Sequence, residues 1–226
     1  MNRSPGNSFQ ALSDRVPGTV GVAFAFRDSL ASFGVWSTGV AWSTIKVPLA
    51  IAALRAGCAS TDLVSASITQ SDNAAAELLW SELGQPGEAA QRVQAVICDP
   101  TTVVESRRLR PEYTAFGQTQ WSLARQAEFA ARLPAIPDAS PVVELMGNLT
   151  AEHRWGLAAK GLAAKGGWGP GIDDNYLVRQ FAIAPTGSGT AGVALAANAR
   201  DFDTALDSVD MLADWIVVNL AELTED

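Results

Sequence analysis

Two hydrophobic periods alternate along this chain. The runs TVGVAFAF (19–26) and SFGVW (32–36) are short and rich in Val and Phe, which predicts two strands around a turn at 27–30. The period then changes. From Ser43 to Arg55 the apolar residues recur at helical spacing, with Ser43 as a possible cap, Pro48 near the first turn and Gly57 as the stop. Further helices are predicted at 61–67, 72–83, 87–97, 122–133, 140–148 and 150–159. LAAKGGW, YLVRQFAIAP and TAGVALAANA then read as three consecutive strands, and an amphipathic helix over about 203–221 closes the chain. Strands at both ends with helices between predict one sheet built from both termini around a helical insert.

Composition narrows the partners. Of 226 residues 48% are hydrophobic, enough for a well-buried core. The net charge is −8 and the arginines are scattered apart from Arg107, Arg108 and Arg110, so nucleic acid is not an expected partner. The longest apolar stretch, Val47 to Leu54, is too short to span a bilayer, and no stable membrane insertion is expected. The opening MNRSPGNSF lacks an apolar signal core, so the protein is either cytoplasmic or has had an export signal removed. Cys58 and Cys98 lack CxxC spacing and read either as a disulfide or as two buried or partly buried thiols. With His153 the sole histidine, no metal site and no cofactor are expected.

Three short stretches carry candidate chemistry. Lys46 is one of only three lysines and stands three residues after Ser43, in GVAWSTIKVPLAIAALRAG. That spacing is nearly one helical turn, so the amine shares the hydroxyl's face; desolvation or a neighbouring cation lowers its pKa and makes it a base. Ser71, Asp72 and Asn73 occupy a loop-to-helix junction, where such residues ordinarily cap a helix. Lys165 precedes two glycines inside a predicted strand, where glycine weakens pairing unless something approaches the backbone closely.

In this order, S-x-x-K, S-D-N and a K-x-G strand resemble the signature set of class A β-lactamases and penicillin-binding proteins. The likeness runs from about Thr19 to the last helix. TDLVSASITQSDNAAAELL is similar to the family's approach to S-D-N, RLRPEY to its omega loop, and ELMGNLTAEHRWGLAAKGLAAKGGW to the segment leading into its third motif. The resemblance implies an α/β (α+β) fold of one domain, 1–226. Its five-stranded antiparallel sheet half spans about 19–42 and 160–226, and its helical half about 43–159.

It also implies roles. Ser43 is the nucleophile that becomes acylated, Lys46 takes its proton, and Ser71 relays a proton to the leaving nitrogen. Asn73 binds the substrate's side-chain amide, and Lys165 supplies positive potential to Ser71 and the substrate carboxylate. Backbone N–H groups of Ser43 and of Trp168, which follows Gly167, form the oxyanion hole. Trp42 and Trp168 flank the site. The implied ligand is a β-lactam or a D-alanyl-peptide-like small molecule, and the implied location extracytoplasmic, with a cytoplasmic one left open.

Three departures qualify that picture. The omega loop has Arg110 where the family holds a deacylating glutamate, and Glu112 matches a carboxylate that faces away from the hydrolytic water. Gly166 replaces a Thr or Ser hydroxyl that helps bind the substrate carboxylate, which predicts weak penicillin affinity. Ser43 and Ser71 lie only 28 residues apart, so a segment that walls the family's pocket is missing and the cleft is expected to be more open. Other chemistries have less support. There is no G-x-S-x-G elbow, the glycines at 187 and 189 form a strand turn and no phosphate loop, and His153 reads as a surface residue. The sequence thus predicts a penicillin-recognising serine hydrolase or acyltransferase with poor β-lactamase turnover. The alternatives are a DD-peptidase and a non-catalytic binding protein that retains the fold.

Overall fold

The computed structural model of the protein describes residues 4–224. Helix α1 (Pro5–Ser13) precedes β1 (Thr19–Phe26) and β2 (Ser29–Gly34), a hairpin with Phe26 opposite Ser29. Its loop is only Arg27 and Asp28, and Arg27 takes the positive φ of 51° that two-residue hairpin turns demand. For that reason the second strand begins at Ser29 and ends at Gly34, earlier than the expected 32–36. The short strand β3 (Thr38–Val40) then leads into a 3₁₀ turn, Trp42–Ile45, and α2 (Lys46–Arg55).

The helical half continues with α3 (Thr61–Thr69), α4 (Asn73–Glu82) and α5 (Pro86–Ile97). Local chemistry sets their starts: Ser60 accepts from Asp62 N, Asp72 accepts from Ala75 N, and Gln85 and Glu88 form a capping box ahead of α5. In α2 every residue from Lys46 to Ala53 is buried, as expected of a helix apolar on all sides, and α3, α4 and α5 pack around it. An irregular loop follows, then β4 (Gln120–Ser122), which pairs with β3, and α6 (Leu123–Arg132), capped by Ser122. Helix α7 (Ser140–Met146) completes this half.

The chain returns to the sheet through β5 (Ala163–Pro170), β6 (Tyr176–Thr186) and β7 (Gly189–Ala199), and ends in α8 (Phe202–Leu223). Strand order is β2-β1-β7-β6-β5, antiparallel throughout. Helix α6 lies on one face of the sheet and α8 on the other, which is why seven of the eight residues of β1 are buried. Gly192 admits α6 at its closest point: a Cβ there would collide with Ala127 O. Strand β5 is therefore a sheet edge, and it packs on the 3₁₀ turn that carries Ser43.

Several expectations change. The helix expected at 150–159 is two 3₁₀ turns, Ala151–His153 and Ala158–Lys160. Gly156 between them has φ 56°, its N–H donates to Asp210 Oδ1 at 2.6 Å, and Leu157 N donates to Gln180 Oε1 at 2.6 Å. Side chains of α8 and β6 have captured the backbone donors that a helix would have used. Helix α1, absent from the pattern reading, is held from outside: Phe9 packs edge-on against Trp215 at 5.0 Å, and Trp215 Nε1 donates to Ser8 Oγ at 2.9 Å. Cys58 is half-buried and Cys98 exposed, both free: the disulfide is not formed, Cys58 is the partly buried thiol expected, and Cys98 is not. Among the described residues no helix is long and apolar enough to cross a membrane.

Candidate active site

The site forms where the turn before α2, the start of α4 and the edge strand β5 converge. Ser43 lies inside the 3₁₀ turn and caps nothing; its predecessor Trp42 adopts φ 49°, a conformation unusual for a bulky residue. The turn is anchored from beneath. Thr44 Oγ1 donates to Ala41 O at 2.6 Å and accepts from Gln126 Nε2 at 2.9 Å, and Gln126 Oε1 accepts from Arg179 Nη2 at 2.9 Å. Arg179, fully buried on β6, also donates to Gly39 O, Val40 O and Trp121 O at 2.8–3.0 Å. Burial without a carboxylate partner pushes its pKa down to about 9, which leaves it charged at neutral pH.

Lys46 opens α2 one turn after Ser43. Its ammonium donates to Ser71 O at 2.6 Å and to Asn73 Oδ1 at 2.7 Å. Desolvation brings its pKa down to about 7, the nearby Asp72 charge opposing part of that shift. A neutral amine has two N–H bonds, and these two acceptors take both. What remains is a lone pair for a proton from the hydroxyl that shares its cleft.

Ser71 is held by two lysines at once. Its carbonyl accepts from Lys46, while its Oγ accepts from Lys165 Nζ at 2.8 Å. Its φ of 53° belongs to the left-handed region, so the S-D-N turn is held in place by contacts of this kind and by Asp72, which caps α4. With Lys165 as donor, the Ser71 hydroxyl proton stays available for transfer. Burial, followed by the charge of Lys46, holds the Lys165 pKa well below its usual value.

The glycines of β5 allow the closest approach. A Cβ on Gly167 would stand 2.7 Å from Ser43 N and 2.9 Å from Ala41 O. The bare backbone of β5 thus runs directly alongside the Ser43 N–H. Trp42, Ser43, Lys46, Ser71, Asn73 and Trp168 line one cleft of about 700 Å³. Lys165 and Gly167 lie immediately behind that lining, through their contacts with Ser71 and Ser43.

The omega-loop segment is held by its own contacts and by the end of β5. Arg110 is not part of the cleft lining: Nη1 donates to Pro170 O at 2.7 Å, and the guanidinium lies over the Tyr113 ring at 4.4 Å and the Trp42 ring at 5.8 Å. Buried Gln118 stitches the segment, accepting from Arg110 N at 2.7 Å and donating to Arg110 O at 3.1 Å and Thr114 O at 3.2 Å. Glu112, which the resemblance matches to a carboxylate facing away from the hydrolytic water, lines the cleft and stands 3.7 Å from Arg110 Nε. His153 is half-buried, where a surface position was expected. Its Nε2 lies 2.7 Å from Gln70 O and its ring 5.3 Å from Trp168.

Among the lining residues that pattern reading missed are Glu77, Arg108, Tyr113 and Tyr176. Glu77 was within reach of sequence reasoning, since it falls one turn after Asn73 on the same helix face. Tyr176 carries no local signal and enters only because β6 begins there.

No protein-family model matches the sequence, and no curated protein is significantly similar to it. Solved structures do match. A class A β-lactamase from Bacteroides cellulosilyticus superposes with a TM-score of 0.74 at 12% identity, covering 95% of this chain and 99% of that one. The TLA-3 extended-spectrum β-lactamase gives 0.73 at 12% identity over 95% and 98%. An ancestral class A β-lactamase gives 0.73 at 19% identity over 96% and 100%. With the sheet order, the helical half and the cleft between them, these likenesses identify the architecture: the chain has the class A β-lactamase fold.

Proposed function

We propose that this protein is a serine hydrolase or acyltransferase of the penicillin-recognising type, which acylates Ser43 and turns over β-lactams poorly. The observation that carries this reading is the arrangement around Lys46. Its amine is buried, its pKa lies near neutrality, and both N–H bonds of its neutral form are taken by Ser71 and Asn73. In such a site Ser43 Oγ attacks an amide carbonyl, its proton passes to Lys46, and Ser71, whose Oγ accepts from Lys165 Nζ, relays a proton to the leaving nitrogen. The N–H groups of Ser43 and Trp168 supply the oxyanion donors.

Poor turnover follows from Arg110. It presents no proton acceptor at the position of a deacylating base, and its guanidinium is tied to Pro170 O. The same feature favours a second reading, a DD-peptidase acting on cell-wall peptide, whose acyl-enzyme is passed on to an acceptor. A β-lactam or cell-wall substrate implies work outside the cytoplasm. Intact-protein mass spectrometry after incubation with a fluorescent penicillin tests the proposal. A Ser43-dependent adduct supports it, and the absence of any adduct favours a binding protein that retains the fold.

A further inference from the structure

Three of the β5 residues beside the site, Gly166, Gly167 and Gly169, have no side chain. At Gly166 the space for one is filled: a Cβ there would run into Cζ2 and Cη2 of Trp155. No hydroxyl can be accommodated at this position while Trp155 stays in place. At Gly167 the Ser43 backbone fills the space in the same way.

The cations near this face already serve partners within the protein. Lys165 is 1% exposed, and its ammonium donates to Ser71 Oγ and to Gly166 O at 3.0 Å. Arg179, in register opposite Gly167, is directed beneath the Ser43 turn and taken up by backbone carbonyls and Gln126. Among the described residues, the cations that line the cleft are Lys46 and Arg108. Arg108 donates to Glu77 Oε1 at 2.7 Å and to Tyr113 O at 3.3 Å. Two carboxylates, Glu77 and Glu112, line the same space.

A ligand carboxylate entering here would lose water, and would find no hydroxyl at position 166 and Lys165 buried behind the lining. It could reach a cation only at Arg108 or Lys46, which already serve Glu77, Tyr113 O, Ser71 O and Asn73. That competition disfavours it. Flat apolar surface, by contrast, is plentiful. Trp168 and Tyr176 line the cleft, each braced by Phe202 with ring centroids at 6.1 and 5.6 Å. Across from them Tyr113 packs edge-on against Trp42 at 4.9 Å.

We infer that the acyl donor of this site is uncharged at the end lying along β5: an ester or amide with a flat, neutral leaving group seated against Trp168 and Tyr176. The inference rests on the acyl-enzyme reading above and narrows its substrate. For an ester, Ser43 Oγ bonds to the acyl carbon as the bond to the alkoxy oxygen breaks. The serine proton leaves with the alcohol by way of Lys46 and Ser71. Water later cleaves the Ser43 ester to release the acid and restore the hydroxyl.

Matched pairs test this directly. Acylation of the full chain is followed by intact mass with benzylpenicillin against its methyl ester, and with the phenyl ester of N-(phenylacetyl)glycine against its 3-carboxyphenyl ester. Each rate is divided by the spontaneous reaction in buffer, and Ser43→Ala serves as the blank. The uncharged member of each pair is expected to label at least about tenfold faster, the factor that 1.4 kcal/mol of discrimination gives. Equal or faster labelling by the carboxylated members overturns the inference while leaving the acyl-enzyme reading intact. No Ser43-dependent label from any of the four overturns both.

Discussion

Arg110 Nη1 donates to Pro170 O across 2.7 Å, and this bond ties the omega-loop segment to the far end of β5. One wall of the cleft is therefore fixed in part by this guanidinium, beside the Gln118 bonds within the segment. Arg110→Ala removes that bond and the stacking on Tyr113. A net loss of about 1–2 kcal/mol corresponds to a melting point lower by about 2–8 °C for a domain of this size. Differential scanning calorimetry measures it, and an unchanged melting point would mean that the tie contributes nothing.

The same residue shapes the kinetics. Without general-base help, deacylation loses roughly 10²- to 10⁴-fold, so a reactive β-lactam is expected to give a burst of about one equivalent followed by a stall. Stopped-flow with a chromogenic cephalosporin reads this out. Steady turnover without a burst would point to Glu112, which lines the cleft, as the group that activates water.

As the proposed base, Lys46 sets the expected pH dependence. Its pKa is lowered to about 7, so the amine is protonated below that value and neutral above it. Acylation is expected to rise about tenfold per pH unit below pH 7 and to level off above it. A rate flat from pH 5.5 to 9 removes Lys46 from the role of base.

Ser43→Ala deletes the proposed nucleophile while changing little of the turn, whose anchors are Thr44, Gln126 and Arg179. Covalent labelling should vanish with the circular dichroism spectrum and melting point preserved. Equal labelling of the variant and the parent protein would place the nucleophile elsewhere.

Arg179→Ala should act through the fold. It leaves the carbonyls of Gly39, Val40 and Trp121 without their donor in a fully buried space. The expected cost is about 3 kcal/mol or more, read from urea unfolding midpoints. A loss below about 1 kcal/mol would show that water or neighbouring donors replace the guanidinium.

The sequence alone determined a good part of this protein. Strong periodicity marked β1, α2 and the closing strand triplet, because those residues are buried on most sides and their apolar runs are long. The spacing of Ser43, Lys46, Ser71, Asn73 and Lys165 was legible for a related reason: each belongs to a short motif whose residues fold together locally. Tertiary contacts decided the rest. Whether 150–159 is helical depended on Asp210 and Gln180, which lie far away along the chain and take its backbone donors. The directions of Arg110 and Glu112 depended on Pro170 and Gln118, and whether Gly166 was merely small or actually filled depended on where Trp155 packs. Local pattern records which face of an element is apolar. It does not record which distant side chain will occupy the space beside a backbone atom, and in this protein that occupancy sets the chemistry of the cleft.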